Sequence, residues 1–124
     1  MVNLQKYQNK KIAIYGMGLT GCSAAKTLEK LGAKIFCWDD NRKTRKRIKN
    51  LKFPLNKFWL NKNFVDNIVI SPGIDISKCK IKSYLKKNSK KIITDLDIFF
   101  DLNKDCLIIS ITGTNGKSTT CKII

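Results

Sequence analysis

The chain alternates short apolar runs with helix-like segments, and this alternation limits its fold more than any other feature of the sequence. The apolar runs lie at residues 11–15, 34–38, 67–70, 91–93 and 106–111. They are rich in β-branched side chains and almost continuously apolar, which is typical of parallel strands buried on both faces. Residues 20–31, 43–51, 77–87 and 95–102 have the spacing or composition of helices. The sequence therefore predicts a Rossmann-like α/β fold, a parallel sheet with flanking helices.

A change in this pattern near residues 94 and 95 divides the chain in two. Residues 1–94 hold four predicted strands and their helices, and we interpret them as a compact, Rossmann-like nucleotide-binding unit. Residues 95–124 hold a helix, a strand and the first turns of another helix, in which Ile123 and Ile124 have nothing to bury against. We interpret them as the truncated start of a second domain, and expect the chain to be the front part of a longer protein.

Composition excludes several classes of protein. The chain has no histidine, which excludes Ser-His-Asp and Cys-His catalysis and histidine-containing zinc sites. Its 25 basic residues against 9 acidic ones give a net charge of +16, but all except three are lysines spread along the chain. We interpret them as solvated helix faces and predict no nucleic acid and no membrane as a partner. The chain has an odd number of cysteines and no C-x-x-C pair, and it lacks both a signal sequence and an apolar run of membrane-spanning length. These features predict a cytoplasmic protein. We expect it to be a monomer.

The first phosphate-binding candidate is the G-x-G-x-x-G loop at residues 16–21, between the first strand and the first helix. Gly16 allows a tight turn, Gly18 lets the backbone approach a pyrophosphate, and Gly21 lets the helix pack close to the strand. The backbone N–H groups of Leu19 and Thr20 would lie at a helix N-terminus, where partial positive charge favours an anion. The loop predicts a nucleotide site without specifying which nucleotide.

Two further candidates follow neighbouring strands. Asp39 ends the second strand, where a carboxylate can accept hydrogen bonds from a ribose or a base. The alternative is a carboxylate that caps the next turn. Ser71 and Gly73 belong to the S-P-G-I loop after the third strand, at the same edge of the sheet, and an ordinary turn explains that loop equally well.

The second phosphate loop is the most specific motif in the chain. It consists of Gly113, Thr114, Asn115, Gly116, Lys117, Ser118 and Thr119. Its ending matches the Walker A pattern, although the strict pattern requires glycine where Ile111 stands. Successive N–H groups would hold the phosphates of ATP, Lys117 would bridge the β and γ oxygens, and the Ser118 hydroxyl would bind Mg²⁺. Two phosphate loops of different kinds predict an ATP-driven step on a nucleotide-linked substrate.

The motifs of both loops, in this order and spacing, resemble the Mur ligases of peptidoglycan synthesis. The matching segments are G-M-G-L-T-G-C-S at 16–23, S-P-G-I at 71–74, D-L-D-I-F at 95–99 and I-T-G-T-N-G-K-S-T at 111–119. The first two look like the family member that adds D-glutamate. The sequence departs from the family at Asp97, where glutamate is common. It departs again at Asp40 and Asn41, where threonine and arginine are frequent, and Arg42 is a candidate for the arginine's role.

This resemblance implies that residues 1–94 are a Rossmann-like domain that binds the UDP substrate, and that residues 95–124 are the truncated start of a P-loop ATPase-type central domain. It also implies a function in cell-wall biogenesis, and through it in cell shape and division. The substrates would be UDP-N-acetylmuramoyl-L-alanine, D-glutamate and ATP, joined through an acyl phosphate with Mg²⁺ as cofactor. Gly18, Leu19 and Thr20 would meet the diphosphate, Asp39 the uracil end, and Ser71 with Gly73 the nucleotide-sugar. Lys117 and Ser118 would act in phosphoryl transfer. The family's metal-binding Glu, its His and its carbamylated Lys are absent from these 124 residues, so we expect no ligase activity from them alone.

Two other functions remain open at this point. A nicotinamide-dependent oxidoreductase domain would explain the 16–21 loop and Asp39, but not the loop at 113–119. A non-catalytic module that binds a nucleotide or a polyanion would explain the loops and the charge, and its binding would weaken steeply with salt.

Overall fold

The computed structural model describes residues 4–61 and 63–123. Residues 1–3, at the start of the first predicted domain, and Ile124, at the end of the second, lie outside the described residues. Its strands are β1 (Lys11–Tyr15), β2 (Lys34–Trp38), β3 (Asn67–Ile70) and β4 (Ile92–Ile93). Its helices are α1 (Leu19–Lys30), α2 (Arg42–Arg47), α3 (Lys82–Lys87), α4 (Asp95–Leu102) and α5 (Lys117–Ile123). Short 3-10 helices occupy Leu4–Tyr7, Phe58–Leu60 and Ser89–Lys91.

The four strands form one parallel sheet in the order β2-β1-β3-β4. Side chains alternate between the two faces of a strand, so Ile12 and Ile14 enter the core beneath α1 while Ala13 and Tyr15 enter the core on the α3 side. Both faces are buried, as the continuous apolar runs predicted. The Rossmann-like fold is confirmed, with β1, β2 and β3 at their predicted bounds.

The helix that opens the predicted second segment packs against α1. Ile98 of α4 is only 4% exposed and belongs to the core beneath α1. The carboxylate of Asp101 accepts hydrogen bonds from the Tyr7 hydroxyl and the Lys6 ammonium, each at 2.5 Å. A capping box between Thr94 and Asp97 starts the helix at Asp95, its predicted first residue. The division of the chain at 94–95 stays a prediction.

Two predicted helices are shorter than expected. The segment 43–51 yields only α2, which ends at Arg47, and then turns so that Leu51 packs under the sheet. Five of the six α2 residues are basic, and neighbouring like charges disfavour extending it. The segment 77–87 begins with turns in which the Asp75 carboxylate accepts a hydrogen bond from the Ser77 N–H at 2.9 Å, and α3 starts only at Lys82.

The prediction of a strand at residues 106–111 is wrong. This segment has no regular secondary structure, and it pairs with none of the four strands in the described part of the chain. Leu107 is 90% exposed and Ile109 is 58% exposed. A parallel strand needs neighbouring strands to satisfy its backbone groups, and apolar composition cannot replace them. The helix predicted after the loop does form, as α5.

Candidate nucleotide-binding site

A sharp turn joins β1 to α1 at Gly16. Its φ angle of +96° is one that favours glycine, and its N–H donates to the Trp38 carbonyl at 2.8 Å. A Cβ atom added here would lie 2.6 Å from side-chain atoms of both Ser71 and Ile74. The glycine-rich loop therefore lies directly against the S-P-G-I loop, and the absence of a side chain at Gly16 permits this contact.

The N-terminus of α1 is open. Gly18 is its N-cap residue in an extended conformation, without a side-chain hydrogen bond to the cap. A Cβ added at Gly18 would have nothing within 4 Å, and Leu19 beside it is 92% exposed. By contrast, a Cβ at Gly21 would lie 1.9 Å from the Gly16 carbonyl oxygen. No side chain therefore caps α1, and the space beside Gly18 is open, which would let an anion approach the first N–H groups of the helix.

The side chain of Asp39, at the end of β2, holds this loop through hydrogen bonds. One carboxylate oxygen accepts the Met17 N–H and the other accepts the Asn41 N–H, both at 2.8 Å. This is the turn-capping role that the sequence left open, and it links the loop after β1 to the loop after β2. Each oxygen keeps a second lone pair, so the ligand role predicted for Asp39 stays a prediction.

The S-P-G-I loop completes the edge beside the end of β3. The Ser71 N–H donates to the Tyr15 carbonyl at 3.0 Å, and the Ile74 N–H donates back to the Ser71 carbonyl at 3.0 Å. Gly73 is exposed, and a Cβ there would meet no atom within 4 Å. The structure therefore brings Gly18, Asp39 and Gly73 to the carboxyl ends of three adjacent strands, where open α/β sheets bind ligands.

Two grooves open along this edge. A groove of about 310 Å³ lies between the loops after β2 and β3. It is lined by Tyr15, Asp39, Asp40, Asn41, Ile74, Asp75, Lys78 and Cys79. A more apolar groove of about 510 Å³ runs between α1 and α4, and it includes the predicted residues Leu19 and Thr20. The two grooves place an acidic pocket on one side of the glycine-rich loop and an apolar one on the other.

Beside the smaller groove lies a network of hydrogen bonds that sequence reasoning missed. The Asp40 carboxylate accepts a hydrogen bond from the Tyr15 hydroxyl on one oxygen and from the Trp38 indole Nε1 at 3.0 Å on the other. The Arg45 guanidinium stacks 4.5 Å from the centre of the Trp38 ring and donates to the Asp39 carbonyl at 2.6 Å. The signal was present in the sequence, because a polar aromatic residue ends each of the first two strands. Arg42, the candidate for the family's arginine, is exposed at the first turn of α2.

The predicted second phosphate loop forms a glycine-rich turn before α5 and is separate from the first loop. Gly113 and Gly116 have φ angles of +149° and +76°, and α5 begins at Lys117 directly after them. The Thr120 N–H and hydroxyl both donate to the Gly116 carbonyl at 2.9 Å. Residues 113–119, including Ser118, are all exposed. Over residues 4–61 and 63–123 no hydrogen bond joins this loop to the loop at 16–21, and no cluster of three metal-ligating side chains occurs.

The fold and the sharp turn after β1 together define a class, the Rossmann-like α/β domains. The structure resembles shikimate dehydrogenase from Aquifex aeolicus with a TM-score of 0.51 at 18% sequence identity, over 83% of this chain and 51% of that one. Identity this low shows the shared fold alone.

Residues 10–93 match the family described as Mur ligase MurD-like, N-terminal domain. UDP-N-acetylmuramoylalanine–D-glutamate ligases from the Wolbachia of Brugia malayi and from Clostridioides difficile are both 35% identical to the chain, over 99% and 94% of its length. The ligase of the same name from Buchnera aphidicola of Acyrthosiphon pisum is 41% identical over 95% of the chain. The chain therefore belongs to the Mur ligase family and carries its MurD-like N-terminal domain.

The chain spans about a quarter of the length of these relatives, 26% for the Wolbachia ligase and 28% for the Clostridioides ligase. The family resemblance seen in the motifs is thus confirmed for this portion. Within the described residues, no helix is both long enough and apolar enough to cross a membrane.

Proposed function

We propose that this chain is the substrate-binding front part, with the ATP loop, of a ligase that adds D-glutamate to UDP-N-acetylmuramoyl-L-alanine. The observation that carries the proposal is the open, uncapped N-terminus of α1 between two ligand-sized grooves, in a MurD-like domain. The diphosphate would bind the N–H groups at Gly18, Leu19 and Thr20. The uridine would lie toward Asp39, and the nucleotide-sugar would pass Ser71 and Gly73.

The loop at 113–119 would hold MgATP. Its two glycines with positive φ leave the backbone N–H groups free of side chains, and the N-terminus of α5 adds partial positive charge. Lys117 would neutralise the transferred phosphoryl group, and the Ser118 hydroxyl would be a Mg²⁺ ligand, as suits a hard cation that prefers oxygen. The metal would offset the phosphate charge during transfer.

The chemistry follows from the substrates. Transfer of the γ-phosphoryl group from ATP to the carboxylate of the L-alanyl residue gives an acyl phosphate and releases ADP. The amine of D-glutamate attacks that carbonyl carbon and loses a proton, and phosphate leaves as the amide forms. The five free thiols of the described chain support a reducing, cytoplasmic location, and we propose that the protein acts as a monomer.

Binding to the 124-residue chain tests the first half of the proposal. Isothermal titration should show binding of UDP-N-acetylmuramoyl-L-alanine, competition by UDP, and no binding of NADH. Binding of NADH without a response to either uridine nucleotide would overturn it in favour of an oxidoreductase domain.

A matched pair on α5 tests the ATP loop. Lys117→Ala should weaken MgATP binding at least about ten-fold, since it removes a charge-assisted contact to phosphate. Lys122→Ala removes an exposed lysine of the same helix and should leave binding unchanged. Equal effects of the two substitutions would show that only general charge matters. The 124 residues alone are expected to give no D-glutamate-dependent ATP turnover, and measured turnover would contradict this part.

A further inference from the structure

The feature that carries a further inference is helix α4, which follows the boundary predicted from the sequence but packs on elements that precede that boundary. Ile98 is buried in the core beneath α1, and Leu102 packs against the same core from the last residue of the helix. The Asp101 carboxylate accepts hydrogen bonds from Tyr7 and Lys6 of the N-terminal 3-10 helix. The middle and the C-terminal end of α4 are thus both held by the first part of the chain.

The chain after α4 has no such attachment. Residues 103–116 form neither helix nor strand, and no residue of α5 is buried. Within the described residues, every hydrogen bond of the segment 107–123 stays inside that segment. Segments with few buried apolar contacts reorient at a low cost in free energy, so the change in packing after α4 marks a mechanical boundary.

The groove between α1 and α4 gives this boundary a consequence for the site. One wall carries Leu19 and Thr20 of α1, and the other carries Leu96 and Phe99 of α4. Because the two helices pack together, both walls are in place before any further part of the protein approaches. By contrast, the glycine-rich turn before α5 is joined to α4 only through residues 104–112. These nine residues span at most about 30 Å when extended, whereas α4 is only about 12 Å long.

We propose that α4 moves with α1 and the sheet as one rigid body, and that residues 104–112 are the joint about which the loop at 113–119 reorients. The joint therefore lies after α4 and not at the boundary predicted at 94–95. This inference goes beyond the proposed function. Its test uses no ligand, so its failure would leave the nucleotide and ATP proposals unaffected.

Limited proteolysis of the 124-residue chain with endoproteinase Asp-N, which cuts before aspartate, tests the position of the joint. A protease binds several extended residues, so a cut before Asp95 requires β4 and α4 to open, whereas Asp105 is exposed in the irregular segment. Each rate is divided by the rate for an unstructured peptide of residues 88–110, which corrects for sequence preference. The corrected rate before Asp105 should be at least about ten-fold higher than the rate before Asp95, with residues 1–104 seen first by mass spectrometry. Equal rates, or earlier release of residues 1–94, would overturn the proposal.

A matched pair of substitutions on α4 tests which contacts hold it. Ile98→Ala removes the buried contact and should speed the cut before Asp95 at least about ten-fold, with little change before Asp105. Leu96→Ala, at an exposed position of the same helix, should leave both corrected rates unchanged when its own peptide is the reference. If Ile98→Ala does not melt cooperatively, Asp101→Ala replaces it, because it removes only the hydrogen bonds to the N-terminal 3-10 helix, and should speed the same cut several-fold. Equal rates for the control and the chosen variant would show that these contacts do not hold α4, and would overturn the proposal.

Hydrogen exchange followed by mass spectrometry gives a second measurement that needs no variant. Amide groups of α4 should exchange at least about ten-fold more slowly than those of α5, because α4 opens only together with the core that it packs against. If α4 exchanges as fast as α5, the helix is not part of the rigid body, and the joint does not lie after it.

Discussion

Replacing Gly21 with alanine distinguishes close packing from helix propensity as the reason for glycine at this position. Gly21 lies in the first turn of α1, where alanine is intrinsically the better helix former by at most about 1 kcal/mol. Propensity alone therefore predicts that Gly21→Ala stabilises the chain. The structure predicts the opposite, because the new Cβ would lie 1.9 Å from the Gly16 carbonyl oxygen.

The size of the effect follows from that distance. Real Cβ atoms do not come within 3.0 Å of such an atom, so α1 must move about 1 Å away from the loop or the loop must unwind. Overpacking costs about 1–3 kcal/mol, and the upper end, about 3 kcal/mol, applies here because the clash is with backbone and not with a flexible side-chain end. Subtracting a gain in propensity of about 1 kcal/mol leaves an expected loss of about 2 kcal/mol in the free energy of unfolding. For a chain of this size that lowers the melting temperature by about 8 °C.

Thermal unfolding followed by circular dichroism measures this change, with Gly18→Ala as the control. Gly18 has a φ of −72°, which alanine adopts readily, and its added Cβ enters open space. Its melting temperature should fall by less than about 3 °C, while UDP affinity should drop at least about ten-fold because the Cβ blocks the approach of the diphosphate. A Gly21→Ala chain that melts at or above the unaltered one would refute the packing argument.

Three further tests concern what holds α4 to the rest of the fold. Ile98→Ala should lower the free energy of unfolding by about 2–4 kcal/mol. Leu96→Ala, at a position 59% exposed, should change it by less than about 0.5 kcal/mol. Equal urea midpoints for the two variants would count against the assignment of Ile98 to the core. Thr94→Ala removes the capping box and should cost about 1 kcal/mol in urea unfolding, most of which Thr94→Ser should recover. Burial alone would raise the pKa of Asp101, but hydrogen bonds from the N-terminal 3-10 helix lower it. The stability from that depressed pKa is therefore present above the ordinary carboxyl pKa of about 4 and is lost as the pH falls below it. Urea unfolding should show a gap between the unaltered chain and Asp101→Asn that narrows from pH 7 to pH 3, and a constant gap would show that the ionised carboxylate does not matter.

The glycine-rich loop shows which contacts local sequence can predict and which it cannot. Gly16 could be assigned to a tight turn because its φ angle is a local requirement. Gly21 could be assigned to a close contact because the missing side chain is a local requirement too. The partner of that contact could not be assigned. Only the parallel pairing of β1 with β3 brings Ser71 and Ile74 against Gly16, across a separation of more than fifty residues.

The segment 106–111 and the residue Asp40 show where sequence patterns fail. The segment has the composition of a buried strand, yet a strand forms only beside another strand, and the four-stranded sheet does not include it. Asp40 looked like a departure from a family pattern at a loop. Its hydrogen bonds depend on the pairing of β1 with β2, which places the Tyr15 hydroxyl and the Trp38 indole N–H beside the Asp40 carboxylate.

The sequence by itself determined the α/β alternation, the bounds of β1, β2 and β3, and the positions of the glycine-rich turns before α1 and α5. These depend on side-chain periodicity and on backbone angles, which are properties of a few consecutive residues. Only the tertiary structure decided that Asp39 holds the first loop, that α4 packs against α1, and that Tyr15 and Trp38 hold the Asp40 carboxylate in a groove. Each of these is a contact between distant residues, and its geometry is set by strand order and register.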